Sequence, residues 1–405
     1  MKVVHITTMD FGGAGLAVLR IHEALLSLGV NSKVLVLTKI NNSEQVVSFL
    51  PKSKNKYVQG LFNKIERIKR RWWESRNPVV RQIKEIRINE DCFFSLPISP
   101  YKVENHPLVR NADVIHLHWV HNFINYPTFF STIKNPCVWT FHDENVRFGG
   151  FHYSKDRQKL YEKYRIFEDY AVNVKRESLI RKQNMRLVPL SNMMKQYIDK
   201  VDYCMDYGKS IVHNPVNCTV YSIYDKNFAR LELRLPQDKK IILFVAYDIF
   251  DRNKGLERLI SAIELLHRND VVLCCVGGAT VERSIRVPYI HLGYINEENR
   301  LNKVYSAADL FVLASDQEAF AQTPLESIAS GTPVVATPCS GTEELINEKN
   351  GIRCNDFTSE ELARCIDIAL STSYDSHAMR DDIIKRFSPE HIAQQYIDIY
   401  QDMLK

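Results

Sequence analysis

No run of apolar residues in this chain approaches the roughly 20 that a membrane-spanning helix needs. The N-terminus lacks the apolar core of a secretory signal. Met1-Lys2-Val3-Val4-His5-Ile6 reads instead as a first buried strand. Nine cysteines are scattered through 405 residues with no repeated C-x-x-C spacing, which argues against a disulfide framework or a zinc site. Internal repeats and low-complexity tracts are missing too, and no recognised nucleic-acid module accompanies the modest net charge of +5. What remains is the expectation of a cytoplasmic globular protein of two or three domains. Its 45% apolar content is enough to build large cores.

What is present is an alternation of strand-like runs with helical stretches, the pattern of parallel βαβ units. In the first half the strands are expected at Val3–Thr7, Lys33–Leu37, Val114–Leu117, Cys137–Thr140 and Leu187–Leu190. In the second half they are expected at Ile241–Val245, Val271–Val276, Tyr289–Leu292, Leu310–Leu313 and Val334–Ala336. Two such sets predict an α/β protein of two doubly wound domains. Pro215 biases Asn214 away from helix, so His213-Asn214-Pro215-Val216-Asn217 reads as the turn between them. The expected domains are 1–215 and 216–387. The segment 388–405 carries Ile392, Tyr396, Ile397 and Tyr400 at helical spacing.

The densest chemistry lies between Ala314 and Glu344. Glu318 and Glu326 stand eight residues apart, after the run Leu310–Leu313 and before the run Pro333-Val334-Val335-Ala336. Strand, acidic loop, short helix, strand is the layout of a site at the carboxyl edge of a parallel sheet, where ligands bind in open α/β folds. Thr323-Pro324-Leu325-Glu326 also has the form of a capping box, so Glu326 has a purely structural reading beside the functional one. Ser340-Gly341-Thr342-Glu343 is a second such box. After the strand Ile241–Val245 come Arg252, Lys254 and Gly255, cations at a strand end that suit an anionic ligand, or else ordinary loop charges. Gly277, at the end of another strand, reads either as a place where a ligand approaches the backbone or as a tight turn.

In the first half, Gly12-Gly13-Ala14-Gly15 follows the first strand and opens a helix, exposing amides that suit an anion. His142 ends one strand, in Trp139-Thr140-Phe141-His142-Asp143. His116, His118 and His121 crowd another strand end; alternation of side chains along a strand, with no supporting carboxylate cluster, argues against a metal among them. Residues 51–87 are rich in lysine and arginine with interleaved apolar residues and Trp72-Trp73. They read equally as an interfacial helix meeting anionic lipid or as a solvated charged helix with core aromatics.

Glu318, seven residues, Glu326, then Gly331-Thr332-Pro333-Val334-Val335, with Lys254-Gly255 upstream, strongly resembles the signature of retaining glycosyltransferases of family 4, also called group 1. The stretch 143–153, DENVRFGGFHY, is similar to a segment of the exopolysaccharide and O-antigen transferases of that family, with Phe151 where they carry cysteine. The resemblance implies the GT-B fold, two Rossmann-like domains facing a central cleft, with the last helix returning to the first domain. It implies transfer of a hexose from a nucleotide-diphosphate sugar, with retention and without a metal or other cofactor, to a glycan or lipid-linked acceptor in surface polysaccharide synthesis. Glu326 would hold the ribose, and Glu318 and His142 would work at the transferred sugar. Arg252, Lys254, Gly277 and the turn Ala321-Gln322-Thr323 would bind the donor. The loop Gly12–Gly15 would lie near phosphate and acceptor. Residues 51–87 would touch the inner face of the cell membrane, and no nucleic acid is expected. Ala319 and Ala321 replace frequent glycines, and Ala246-Tyr247 a frequent G-R, which leaves open a non-catalytic GT-B subunit that binds a partner transferase or a glycan.

Overall fold

The computed structural model describes residues 1–87, 92–180, 182–279 and 284–405. The chain divides into two compact units. One is Met1–Val212 together with Ala393–Lys405; the other is His213–Ile392.

The first unit is built on β1 (Lys2–Met9), β2 (Asn31–Thr38), β3 (Val46–Ser48), β4 (Val114–Leu117), β5 (Cys137–Phe141), β6 (Met185–Pro189) and β7 (Gly208–Lys209). The sheet order is β3-β2-β1-β4-β5-β6-β7, and every pairing is parallel. Its central strands are buried on both faces, which is why they show no regular apolar–polar alternation in sequence. The second unit repeats the plan with β8 (Lys240–Asp248), β9 (Val271–Gly278), β10 (Tyr289–His291), β11 (Leu310–Leu313), β12 (Val334–Ala336) and β13 (Gly351–Arg353). Its order is β10-β9-β8-β11-β12-β13, again all parallel. Both are doubly wound, Rossmann-like sheets. In each, the strand order reverses between two central neighbours: β1 beside β4, and β8 beside β11. The loops that leave those neighbours diverge and open a binding crevice at their carboxyl ends.

All ten strands expected from sequence are present. Among the described residues three more, β3, β7 and β13, are edge strands of three, two and three residues.

The basic stretch forms two helices, Lys56–Ser75 and Pro78–Arg87. The second packs Val80 and Ile83 into a cluster with Phe94, Phe151 and Tyr164, with Trp73 against it. The first buries none of its residues: Leu61, Ile65, Ile68 and Trp72, one stripe at helical spacing, stay 56%, 41%, 57% and 57% exposed. The last helix, Pro389–Met403, gives the first unit two fully buried tyrosines. Tyr396 Oη lies 3.0 Å from Thr140 Oγ1, and Tyr400 Oη lies 2.7 Å from His116 Nδ1. Among the described residues no helix is long and apolar enough to cross a membrane.

Candidate functional site

The C-terminal unit supplies the charged part of the site. Beyond β8 the chain makes a short turn at Arg252–Lys254, started by Asp251, whose carboxylate accepts the Asn253 N–H at 2.9 Å. Gly255 follows at φ +74°, and a Cβ there would lie 2.0 Å from the Ala314 carbonyl oxygen. Only glycine lets this turn pack so closely on the end of β11. Further bonds bind the two loops together: Asn253 Nδ2 donates to the Gln317 carbonyl at 2.8 Å, and Asp316 N–H to the Asn253 carbonyl at 2.8 Å. Arg258 reaches back to the Ala314 carbonyl and Asp316.

This clamp places Lys254 Nζ 2.7 Å from Glu318 Oε1, which also accepts from Ser315 Oγ at 2.7 Å. The side chains retain 28% and 15% of their exposure. An ion pair so open to water contributes only about 0–1 kcal/mol to stability, so stability does not explain why two loops are tied down to form it. Arg252 lies on the same turn and is exposed.

Glu326 is different: it is 3% exposed, and its Oε2 accepts from the Tyr305 hydroxyl at 3.0 Å. The capping-box reading does not survive. The helix is Gln322–Ala329, its N-cap is Ala321 with no side-chain cap, and Thr323 lies inside the first turn. Burying a carboxylate costs several kcal/mol unless it is well partnered, an expense that a cap does not require. The second box fails likewise: Gly341 caps Thr342–Leu345, and Ser340 Oγ bonds the Ala319 carbonyl. Ala321 sits at φ −68°, ψ 137°, a conformation alanine adopts freely, so replacing glycine there strains nothing. Gln322 opens the helix and is 9% exposed. Gly277, at φ +144°, would put a Cβ 2.0 Å from the Ala246 carbonyl, so the packing of β9 on β8 already demands glycine.

In the N-terminal unit, Gly12 begins the helix Gly12–Ser27, whose N-cap Phe11 makes no side-chain cap bond. The first-turn amides of Gly12, Gly13 and Ala14 are therefore not claimed by a capping side chain. Gly15 is needed for packing: a Cβ would meet the Asp10 backbone at 2.7 Å. The loop after β4 is tied to β1 by Thr8 N–H donating to the Trp119 carbonyl at 2.7 Å and Thr8 Oγ1 to the His121 carbonyl at 2.8 Å.

Here the sequence reading of the histidines needs correction. His116 and His118 are two apart, so they share a face, with ring centroids 4.0 Å apart. His118 Nε2 lies 2.9 Å from His5 Nδ1, and its Nδ1 lies 3.1 Å from His142 Nε2. His121 turns elsewhere and joins Asp143 and His152, so a carboxylate does stand among the histidines. Burial holds His5, His116 and His118 well below the usual imidazole range. Burial likewise takes His142 down to about 4, against the opposing pull of Asp143. Asp143 is held well below the usual carboxylate range because His152 and His121 outweigh the cost of its burial. His142 is thus a neutral imidazole beyond β5, in a different unit from Glu318.

Several of these partners carried no sequence signal. Ser315, Arg258 and Tyr305 are ordinary loop and helix residues until the fold brings them to Glu318, Ala314 and Glu326.

Residues 225–386 match the family described as glycosyl transferases group 1. An uncharacterized glycosyltransferase of Methanocaldococcus jannaschii is 26% identical over 314 residues, 72% of this chain and 76% of that one. Sucrose-phosphate synthase from Thermosynechococcus elongatus superposes with a TM-score of 0.69 at 18% identity, over 100% of this chain and 99% of its own. Anabaena Alr3699/HepE, in complex with UDP-glucose, gives 0.66 at 16% identity, over 99% and 100%. A glycosyl transferases group 1 domain at residues 225–386, carried in a chain of GT-B architecture, marks a glycosyltransferase.

Proposed function

We propose that the chain transfers a hexose, with retention at the anomeric carbon, from a nucleotide-diphosphate sugar to a growing glycan, lipid-linked, in bacterial surface polysaccharide synthesis. The observation that carries this reading is the Lys254–Glu318 pair, fixed at the carboxyl ends of the two switch-point strands but left open to water. In this reading the C-terminal unit holds the donor. Lys254 and Arg252 take the diphosphate as negative charge grows on it, without a metal. Glu318 holds sugar hydroxyls and opposes the positive charge that develops on the ring. Glu326, steadied by Tyr305, accepts both hydroxyls of the ribose, which a carboxylate does well. The amides of Ala321, Gln322 and Thr323 face the phosphates at a helix start. Gly277 lets the base approach.

The N-terminal unit takes the acceptor. The Gly12–Gly15 amides lie near phosphate and acceptor, and neutral His142 offers a hydrogen bond to a sugar hydroxyl. The leaving phosphate itself takes the acceptor proton. The exposed stripe of the helix Lys56–Ser75, ringed by Lys64, Arg67, Lys69, Arg70 and Arg71, suits an anionic bilayer and would keep the enzyme peripheral at the inner face of the membrane. An anionic surface is where a lipid-linked acceptor would be met.

The test is hydrolysis of a panel of UDP-, GDP- and ADP-sugars by the purified protein, with and without added Mg²⁺. Slow nucleotide release from one donor, indifferent to Mg²⁺ and absent in Glu318→Ala and Lys254→Ala, is the expected result. Failure of every donor to bind would overturn the reading.

A further inference from the structure

His121, Asp143, His152 and Ser95 form a closed ring of side chains that the transfer reaction does not use. His121 Nε2 lies 3.2 Å and His152 Nδ1 2.6 Å from the same carboxylate oxygen, Asp143 Oδ2. On the far side of both imidazoles stands one hydroxyl: Ser95 Oγ is 2.8 Å from His152 Nε2 and 3.4 Å from His121 Nδ1. Ser95, His121 and His152 are 3%, 8% and 1% exposed.

The ring cannot be satisfied by neutral groups. It has four contacts, and each needs a hydrogen between its heavy atoms. Two neutral imidazoles supply one each, and the serine supplies one. An ionised carboxylate supplies none. One contact is therefore left with two lone pairs facing each other, in a place where an unmet polar contact is costly. Asp143 has reason to stay ionised. Its Oδ2 also accepts from Trp119 Nε1 at 2.8 Å, and its Oδ1 from the Asn145 N–H at 2.9 Å.

The other histidine group does not have this deficit. His116 has a hydroxyl at each nitrogen, Tyr400 at 2.7 Å and Thr140 at 2.8 Å, and Thr140 meets Tyr396. Those three contacts draw on four hydrogens. In the file His5–His118–His142, two contacts draw on three.

We propose that His121 Nε2, His152 Nδ1 and Asp143 Oδ2 bind one divalent first-row transition ion of the zinc type. With the ion in place, every group in the ring is used. The two inward nitrogens and the carboxylate oxygen give lone pairs to the metal, and these three atoms already lie within 4.8 Å of one another. Both outward nitrogens then carry hydrogen and donate to Ser95 Oγ, which has two lone pairs to receive them. Trp119 and Asn145 orient the carboxylate from outside, as partners of metal ligands commonly do. Two imidazoles and a carboxylate, with a further position left for water, are a donor set that zinc accepts. The ion would join three separate parts of the chain: the segment after β4, the segment after β5, and Ser95. It takes no part in the transfer proposed above, and the inference does not depend on that reading.

The full chain, stripped with chelator, is titrated with Co²⁺ as the probe and then challenged with Zn²⁺. One Co²⁺ per chain is expected, with visible ligand-field bands that Zn²⁺ abolishes. His121→Ala and His152→Ala lose those bands, Ser95→Ala binds about 10–100-fold more weakly, and His116→Ala keeps the full signal. Nitrogen NMR of the unsubstituted protein serves if the variants misfold: Zn²⁺ should shift Nε2 of His121 and Nδ1 of His152. No stoichiometric Co²⁺ binding, with one of these rings found protonated on both nitrogens, would show that a proton completes the ring and would overturn the proposal.

Discussion

The two units share one strand order through their first six strands but treat the polar groups around their switch-point strands in opposite ways. In the C-terminal unit, Lys254 and Glu318 are charged, paired and partly open to water. In the N-terminal unit, His5, His116 and His118 are 0–2% exposed, and burial favours their neutral forms. The first arrangement gains little by itself and waits for a ligand that brings charge. The second is partnered within the protein at every ring nitrogen of His116 and His118, with His5 Nε2 alone of the three rings' nitrogens unpartnered, and it holds geometry. Removing a group from the first should cost activity and little stability. Removing one from the second should do the reverse.

The sharpest break would come at the charged pair. Glu318→Ala and Lys254→Ala should each lower kcat by about 10²–10³-fold, while the denaturation midpoint of the unit hardly moves, since the pair itself is worth about 0–1 kcal/mol. A large loss of stability with activity intact would reverse the contrast.

Acid should act on the N-terminal unit next most strongly. Burial, and then Lys33, lower His22 to about 4. An unfolded His22 takes its proton near 6.5, and the folded one waits until about 4. Stability is therefore full above pH 6.5, falls as the pH drops towards 4, and levels off below. His22 alone accounts for a loss on the order of 3 kcal/mol. His5 and His116 act in the same direction. All four tryptophans lie in this unit, so fluorescence-monitored denaturation at several pH values reports on it alone. A flat profile from pH 7 to 4 would contradict the buried-neutral account.

Tyr400→Phe should remove about 1–3 kcal/mol by leaving His116 Nδ1 without its hydroxyl, with donor affinity unchanged. Its counterpart, Tyr305→Phe, should raise the KM for the donor through Glu326. Equal effects of the two on KM would erase the distinction between the units. The smallest expected effect is at the helix Lys56–Ser75. Each cation removed should weaken binding to anionic vesicles by about fivefold, or ~1 kcal/mol. Binding indifferent to lipid charge would leave the helix as a merely solvated face.

The sheets were legible because strands buried on both faces leave unbroken apolar runs, as in Leu310–Leu313. The edge strands β3, β7 and β13 were not, because each buries at most one residue and leaves no such run. Glu318 and Lys254 could each be picked out from its place after a strand. That they touch could not, because 64 residues separate them and only the pairing of β8 with β11 brings them together. The capping box at Thr323 misled because the motif says nothing about the backbone before it. The extended Ala321 lets the helix start at Gln322, ahead of the proline. The histidines misled in a different way. Alternation is right for neighbours in a strand, but His116 and His118 are not neighbours, and the partners of His121 lie in a later loop.

The bonds from Tyr396 and Tyr400 to Thr140 and His116 bear on the order of biosynthesis. Both tyrosines follow residues 213–392 in the chain, so the whole C-terminal unit leaves the ribosome before they do. The unit that is begun first is therefore completed last. Until then, the His116 contact to Tyr400 is unmade, and the first unit lacks the helix that covers that side of its sheet.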